Sequence, residues 1–128
     1  MKKIVNILLL LSSGLMVTSC YYDELPQEPV PANVTLKKDV QKIFDRNCIG
    51  CHKGDANTTP NLLTANSYLS LTSVVDGESF VIPGNASNSI LYKVLKGDGV
   101  AQMPPNGALS ATKQKIVEKW INDGALNN

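Results

Sequence analysis

The sequence predicts an all-α fold, a small helical domain spanning residues 35–128 of a 128-residue chain. Three observations predict it. Apolar residues recur at helical spacing in several separate segments. Turn and stop residues (Asn47, Gly97, Gly124) close the clearest of them. The one run that reads as extended, Ser79 to Ile82, is short and sits in no βαβ pattern.

The elements follow in order. Leu36, Val40, Ile43, Phe44 and Cys48 share one face of a first helix, with Thr35 as its N-cap and Asn47 as its exit. Lys53 to Thr59 is a polar loop. Leu62, Leu63, Tyr68, Leu69 and Leu71 predict a short helix near 65–73. After Ser79 to Ile82, Pro83-Gly84 turns the chain. Asn85 or Ser87 then caps a helix through Ile90, Leu91, Val94 and Leu95, ended by Gly97. Ser110 caps the last helix, Ile116, Val117, Trp120 and Ile121 form its apolar stripe, and Gly124 takes the C′ position. Trp120 reads as core packing, and no catalytic acid or base stands out in this segment.

The first 19 residues read as a removable lipoprotein signal. Lys2 and Lys3 precede an apolar run that is shorter than the roughly 20 residues a spanning helix needs. Val17-Thr18-Ser19-Cys20 places small residues directly before a cysteine, the arrangement of a bacterial lipobox, so cleavage and lipidation are expected at Cys20. An uncut anchor helix is the competing reading. Residues 20–34 read as a tether, because Pro26, Pro29 and Pro31 favour polyproline II and Asp23, Glu24 and Glu28 keep it solvated. At about 3.1 Å per residue it reaches roughly 40 Å from a membrane. The localisation that follows is the cell envelope, lipid-anchored to a bacterial membrane, with the domain in the periplasm or at the cell surface.

Charge does not suggest a nucleic-acid binder. Twelve Lys+Arg stand against eleven Asp+Glu, and without Lys2 and Lys3 the balance turns slightly acidic, so no basic stripe faces phosphates. Aromatics at 5% supply no stacking surface. The informative residues are the rare ones: three Cys, three Met, one His and one Trp.

Cys48-Ile49-Gly50-Cys51-His52 is C-x-x-C-H, the attachment signature of a c-type haem. Two thiols three residues apart reach the two vinyl groups of one porphyrin, and the following His52 becomes the proximal iron ligand. Gly50 keeps a side chain off the porphyrin. A backbone carbonyl from the 53–63 loop is expected to accept from the other ring nitrogen of His52, with Pro60 as the choice. Two other chemistries compete. Structural zinc wants four ligands, yet there is no second His, and Cys20 is assigned to lipid. A thioredoxin-like redox pair wants a strand–turn–helix setting, whereas this motif follows a helix. With all three Cys used, no disulfide is expected.

The sixth ligand follows by elimination. His52 is the only His, and loss of the signal leaves Met103 as the only Met. Met103 precedes Pro104-Pro105, which predicts a stiff, extended segment aiming a thioether at the iron. Hydrophobic filler is the competing role for Met103, and Lys93 or Lys96 compete as ligands at high pH.

This arrangement resembles the class I cytochromes c, and most of all the planctomycete-type cytochrome c domains. The residues that carry the resemblance are Cys48 to His52, Ile82-Pro83-Gly84 with Ser89-Ile90-Leu91-Tyr92, Met103-Pro104-Pro105 with Gly107 and Leu109, and Trp120-Ile121-Asn122-Asp123-Gly124-Ala125. The resemblance implies a cytochrome c-like fold wrapped around one covalent haem c, with His52 and Met103 as axial ligands. It also implies that the last helix crosses the first, with Trp120 and Ile116 against Ile43 and Phe44. The expected function is electron transfer by Fe(III)/Fe(II) cycling, not enzymatic catalysis, between a donor and an acceptor protein that the sequence does not name. The expected state is a monomer or a subunit of a larger complex. The alternatives are a five-coordinate haem protein that binds a small gas or reduces peroxide, and a haem subunit of a larger oxidoreductase.

Overall fold

Thr35 opens the first helical segment, and its side chain accepts from the Lys38 amide at 3.2 Å. A computed structural model of the chain describes residues 29–55, 58–75 and 77–128. The signal-like segment, the proposed lipid site Cys20 and the first part of the tether lie outside the described residues. The remaining tether residues are not all solvated: Val34 is buried and Val30 packs against the core, so packing begins ahead of Thr35.

The first helix differs from expectation at its start. A π-helical turn, Leu36–Val40, precedes α1, Gln41–Asn47. The carboxylate of Asp39 turns back to accept from the Thr35 amide at 2.8 Å and its hydroxyl at 3.1 Å. The first amides of a helix have no partner within it. Here the Leu36 amide donates to Asn128 Oδ1 at 2.9 Å and the Lys37 amide to the Asn128 carbonyl at 3.0 Å, so the far end of the chain completes the cap.

Three more helices follow: α2, Ser67–Thr72; α3, Ile90–Lys96; and α4, Ala111–Asn122. Among the described residues there is no strand, only an isolated bridge between Val75 and Glu78, so the fold is all-α. Ser110 caps α4 as expected, accepting from the Lys113 amide. At its other end Gly124 has φ +101°, its amide donates to Ile121 O, and the Ala125 amide donates to Trp120 O, a complete Schellman stop. Gly97 ends α3 at φ +67°.

The start of α3 corrects the sequence reading. The helix begins at Ile90, not at a cap on Asn85 or Ser87. Asn85 Oδ1 instead accepts from the Asn88 amide at 3.2 Å and closes the turn before it. Ser89, fully buried, accepts from the Ile82 amide and donates to the Asn85 carbonyl, fixing the 82–89 turn from inside. That turn is fastened to the end of α4: Gly84 donates to Ile121 O at 2.7 Å and Ala86 to Asn122 Oδ1 at 3.0 Å.

α4 packs against the π-helical turn and against α3. Trp120 shares one buried cluster with Ile43 and Phe44, and Ile116 packs at its edge. Trp120, Phe44, Leu71, Ile121, Val40, Val81 and Val117 are the large, fully buried apolar side chains. Each contributes about 1.5–3 kcal/mol relative to exposure, against about 1 kcal/mol for a typical hydrogen bond, so this cluster holds the helices together. The indole N–H of Trp120 is not stranded, because it donates to Leu126 O at 2.9 Å.

Candidate functional site

α1 delivers Cys48 as its C-cap. The Cys48 amide donates to Phe44 O at 2.8 Å, and Asn47 Nδ2 donates to Ile43 O at 2.7 Å, so the helix end is closed by its own side chain. The chain then makes one tight turn: the amides of Cys51 and His52 both donate to the Cys48 carbonyl, at 3.1 and 2.9 Å. Cys48, Cys51 and His52 are thereby brought together on one short segment. Both thiols are free; Cys51 is exposed and Cys48 partly covered. A Cβ at Gly50 would meet nothing within 4 Å, so that side of the turn is open.

Burial pushes the Cys48 thiol up to about 11, with a smaller opposing pull from the Lys113 ammonium. Lys113 reaches this helix end from α4 and donates to Asn47 Oδ1 at 3.3 Å. A raised thiol is the reverse of the lowered one that a dithiol redox pair depends on. Nor does any group of three or more His, Cys, Asp or Glu converge to hold a metal ion among the described residues. A closed protein-only zinc site needs four such ligands.

His52 is half-buried, and its Nδ1 lies 3.2 Å from the carbonyl oxygen of Pro60. A carbonyl only accepts, so Nδ1 is the donor in this contact and Nε2 is the nitrogen it leaves unengaged. This is the partner the sequence reading chose for the ring. The loop bearing Pro60 is fixed at each amide that follows. Asn61 donates to Ser70 Oγ at 2.8 Å, Leu62 to His52 O at 2.9 Å, and Leu63 to Asn61 Oδ1 at 3.1 Å.

The sequence reading missed Gln41. Its side chain is buried, its Nε2 donates to Leu62 O at 2.9 Å and Asp45 Oδ1 at 2.8 Å, and its Oε1 accepts from Ser67 Oγ at 2.7 Å. A signal was present: Gln41 lies three residues before Phe44 and seven before Cys48, on the buried side of the helix.

Met103 lies on the segment that follows α3. It is half-buried, and its amide donates to Val94 O of α3 at 2.8 Å. The chain bends at Met103 and the Met103–Pro104 peptide is cis, whereas the sequence predicts an extended segment. The restriction a proline imposes on the residue before it acts on φ and ψ and leaves ω open. Gly107 closes a turn, its amide donating to Pro104 O at 3.3 Å. Lys93 and Lys96 lie on α3 and edge a surface cavity of about 370 Å³ together with Tyr92 and Asp98. The hydroxyl of Tyr92 bonds the Glu118 carboxylate, and partial burial and that carboxylate hold its pKa above the ordinary value.

No helix among the described residues is long and apolar enough to cross a membrane. No protein-family model and no curated protein matches this chain. Among solved structures the fold is similar to Kuenenia stuttgartiensis hydrazine synthase, with a TM-score of 0.61 and 24% identity over 73% of this chain. The chain spans 16% of that protein's length, and at that identity the likeness is one of fold alone.

Proposed function

We propose that this chain is a monohaem c-type cytochrome with a class I cytochrome c fold, lipid-anchored through Cys20 at the cell envelope, that carries single electrons between protein partners. The observation that carries the reading is the Cys48–His52 turn: two free thiols beside an imidazole whose Nδ1 is engaged by Pro60 and whose Nε2 is left to ligate. That donor set fits a covalently attached haem. Cys48 and Cys51 would hold it through thioethers, His52 would be its proximal ligand, and Met103 its distal one. When bound, the haem supplies a one-electron Fe(III)/Fe(II) couple. The chain's own residues do the rest: the Pro60 carbonyl fixes the ring tautomer, and the fastened 61–63 amides limit movement of His52.

An anaerobic redox titration followed by optical spectra tests this, together with the mass of the membrane-extracted protein. A haem spectrum, the added mass of one porphyrin and a lipidated N-terminal Cys20 are expected. A colourless sample from cells with a working haem-attachment apparatus refutes the haem reading, and an intact Met1 start refutes the anchor. A second reading, a haem module within a larger oxidoreductase, draws support from the similar fold being a fraction of an enzyme chain. Co-purification of a stable partner separates the two.

A further inference from the structure

We infer that Gln41 is the positioning residue for the His52 imidazole, acting through the 60–62 loop. The inference rests on the proposed ligation of iron by His52. Gln41 is only 3% exposed, and a buried amide is costly unless its groups are paired. Both its donors and its acceptor are paired, across sequence separations of 21 residues to Leu62 and 26 to Ser67. The bonds run in series. Gln41 holds the Leu62 carbonyl, the Leu62 amide holds the His52 carbonyl, and Pro60, two residues before Leu62, faces Nδ1. One side chain on the helix that carries Cys48 thereby fixes both the backbone and the ring of His52.

The geometry makes the ring bond sensitive. At 3.2 Å the Nδ1 to Pro60 O distance is at the long end of the N–H···O range, so a loop shift of a few tenths of an ångström weakens it. A weaker acceptor on Nδ1 lowers the basicity of the imidazole toward iron, which favours the ferrous state. Gln41→Leu keeps the volume nearly constant and removes all three bonds. Ser67→Ala removes only the hydroxyl that fixes the amide's orientation.

The test uses the haem-loaded full-length protein and two readouts that general softening does not move together: the midpoint potential, and the pattern of haem-methyl proton shifts in the oxidised state, which follows the plane of the ligating ring. Gln41→Leu is expected to raise the ferrous-to-ferric preference about tenfold, or about 59 mV for a one-electron couple, and to reorder the methyl shifts. Ser67→Ala is expected to move both in the same direction by less. Val117→Ala on α4, fully buried and with no part in the hydrogen bonds of Gln41, is the control that lowers stability and leaves both readouts in place. If Gln41→Leu keeps the wild-type potential and shift pattern, or if Val117→Ala changes them equally, the inference is overturned. If Gln41→Leu does not fold, an unchanged Ser67→Ala overturns it. Absence of haem in the wild-type protein defeats the proposed function instead, so the two failures are distinguishable.

Discussion

Gly54 follows His52 by two residues, and Gly54→Ala should loosen the loop that carries the ring. Its φ is +88°, a conformation that costs a non-glycine residue about 1–2 kcal/mol. An added Cβ would also run into the Asn61 side-chain amide, contacting Nδ2 and approaching Cγ to 3.0 Å. Asn61 can swing away, but its Oδ1 then releases the Leu63 amide, a bond worth about 0.5–1.5 kcal/mol. The total is about 2 kcal/mol. For a domain of this size that lowers Tm by roughly 8–16 °C. Thermal denaturation of the haem-loaded protein measures it, and a double-mutant cycle with Asn61→Ala divides it. In the double variant the steric part disappears and the backbone part remains, so the two losses are not additive. A drop of under about 2 °C for Gly54→Ala, far below that 8–16 °C range, or strict additivity with Asn61→Ala, refutes the reasoning.

Met103→Ala should abolish the charge-transfer band of thioether-ligated ferric haem and open the iron to carbon monoxide in the reduced protein; survival of the band removes Met103 as a ligand. Asn128→Ala leaves the Leu36 amide without its side-chain acceptor and should cost about 0.5–1 kcal/mol in chemical denaturation, with the haem spectrum unchanged. In the haem-free chain the folded Cys48 thiol titrates near 11 against 9.0 in the unfolded chain, so folding favours the protonated form. Stability from this source is intact below pH 9 and is lost as pH rises to about 11, by ~1–2 kcal/mol after allowance for partial exposure. Haem attachment converts the thiol to a thioether, so denaturation curves of the loaded protein should lack this alkaline step.

The parts of the molecule that the sequence announces are those written in local chemistry. Ser110 and Gly124 bound α4 because an N-cap hydroxyl and a left-handed C′ residue act within a few positions of themselves. The C-x-x-C-H turn is equally local. Pro60 was reachable because a ligating histidine needs a nearby acceptor and the loop is short. What stayed hidden depends on distant pairs with no periodic mark. Asn128 caps a helix 92 residues away. Asn122, on the exposed side of α4, fastens the 82–89 turn. Ser89 displaces the expected start of α3 because its hydroxyl is committed to Ile82 and Asn85 rather than to the helix. Gln41 was legible as a polar residue on a buried face, but its partners were not.

The Gln41 amide is one of several groups that fasten the 60–63 loop. The amides of Asn61, Leu62 and Leu63 reach α2, His52 and Asn61's own side chain, while the Leu62 carbonyl reaches α1. Such anchoring is redundant for holding a surface loop, since any one of these bonds contributes only about 1 kcal/mol and water would serve the exposed groups. It is not redundant for holding a ring. Nδ1 has a single acceptor, and the position of that acceptor is the sum of all the others. In the proposed cytochrome, a ligand whose direction is set in this way would change little when the charge on its metal changes, which is the condition for fast one-electron exchange. Loosening the loop from Gly54 and loosening it from Gln41 should therefore differ in kind. The first acts on the segment's own backbone and is read mainly as stability, whereas the second acts on the Leu62 carbonyl, two residues from the Pro60 carbonyl that faces the ring, and is read mainly as potential.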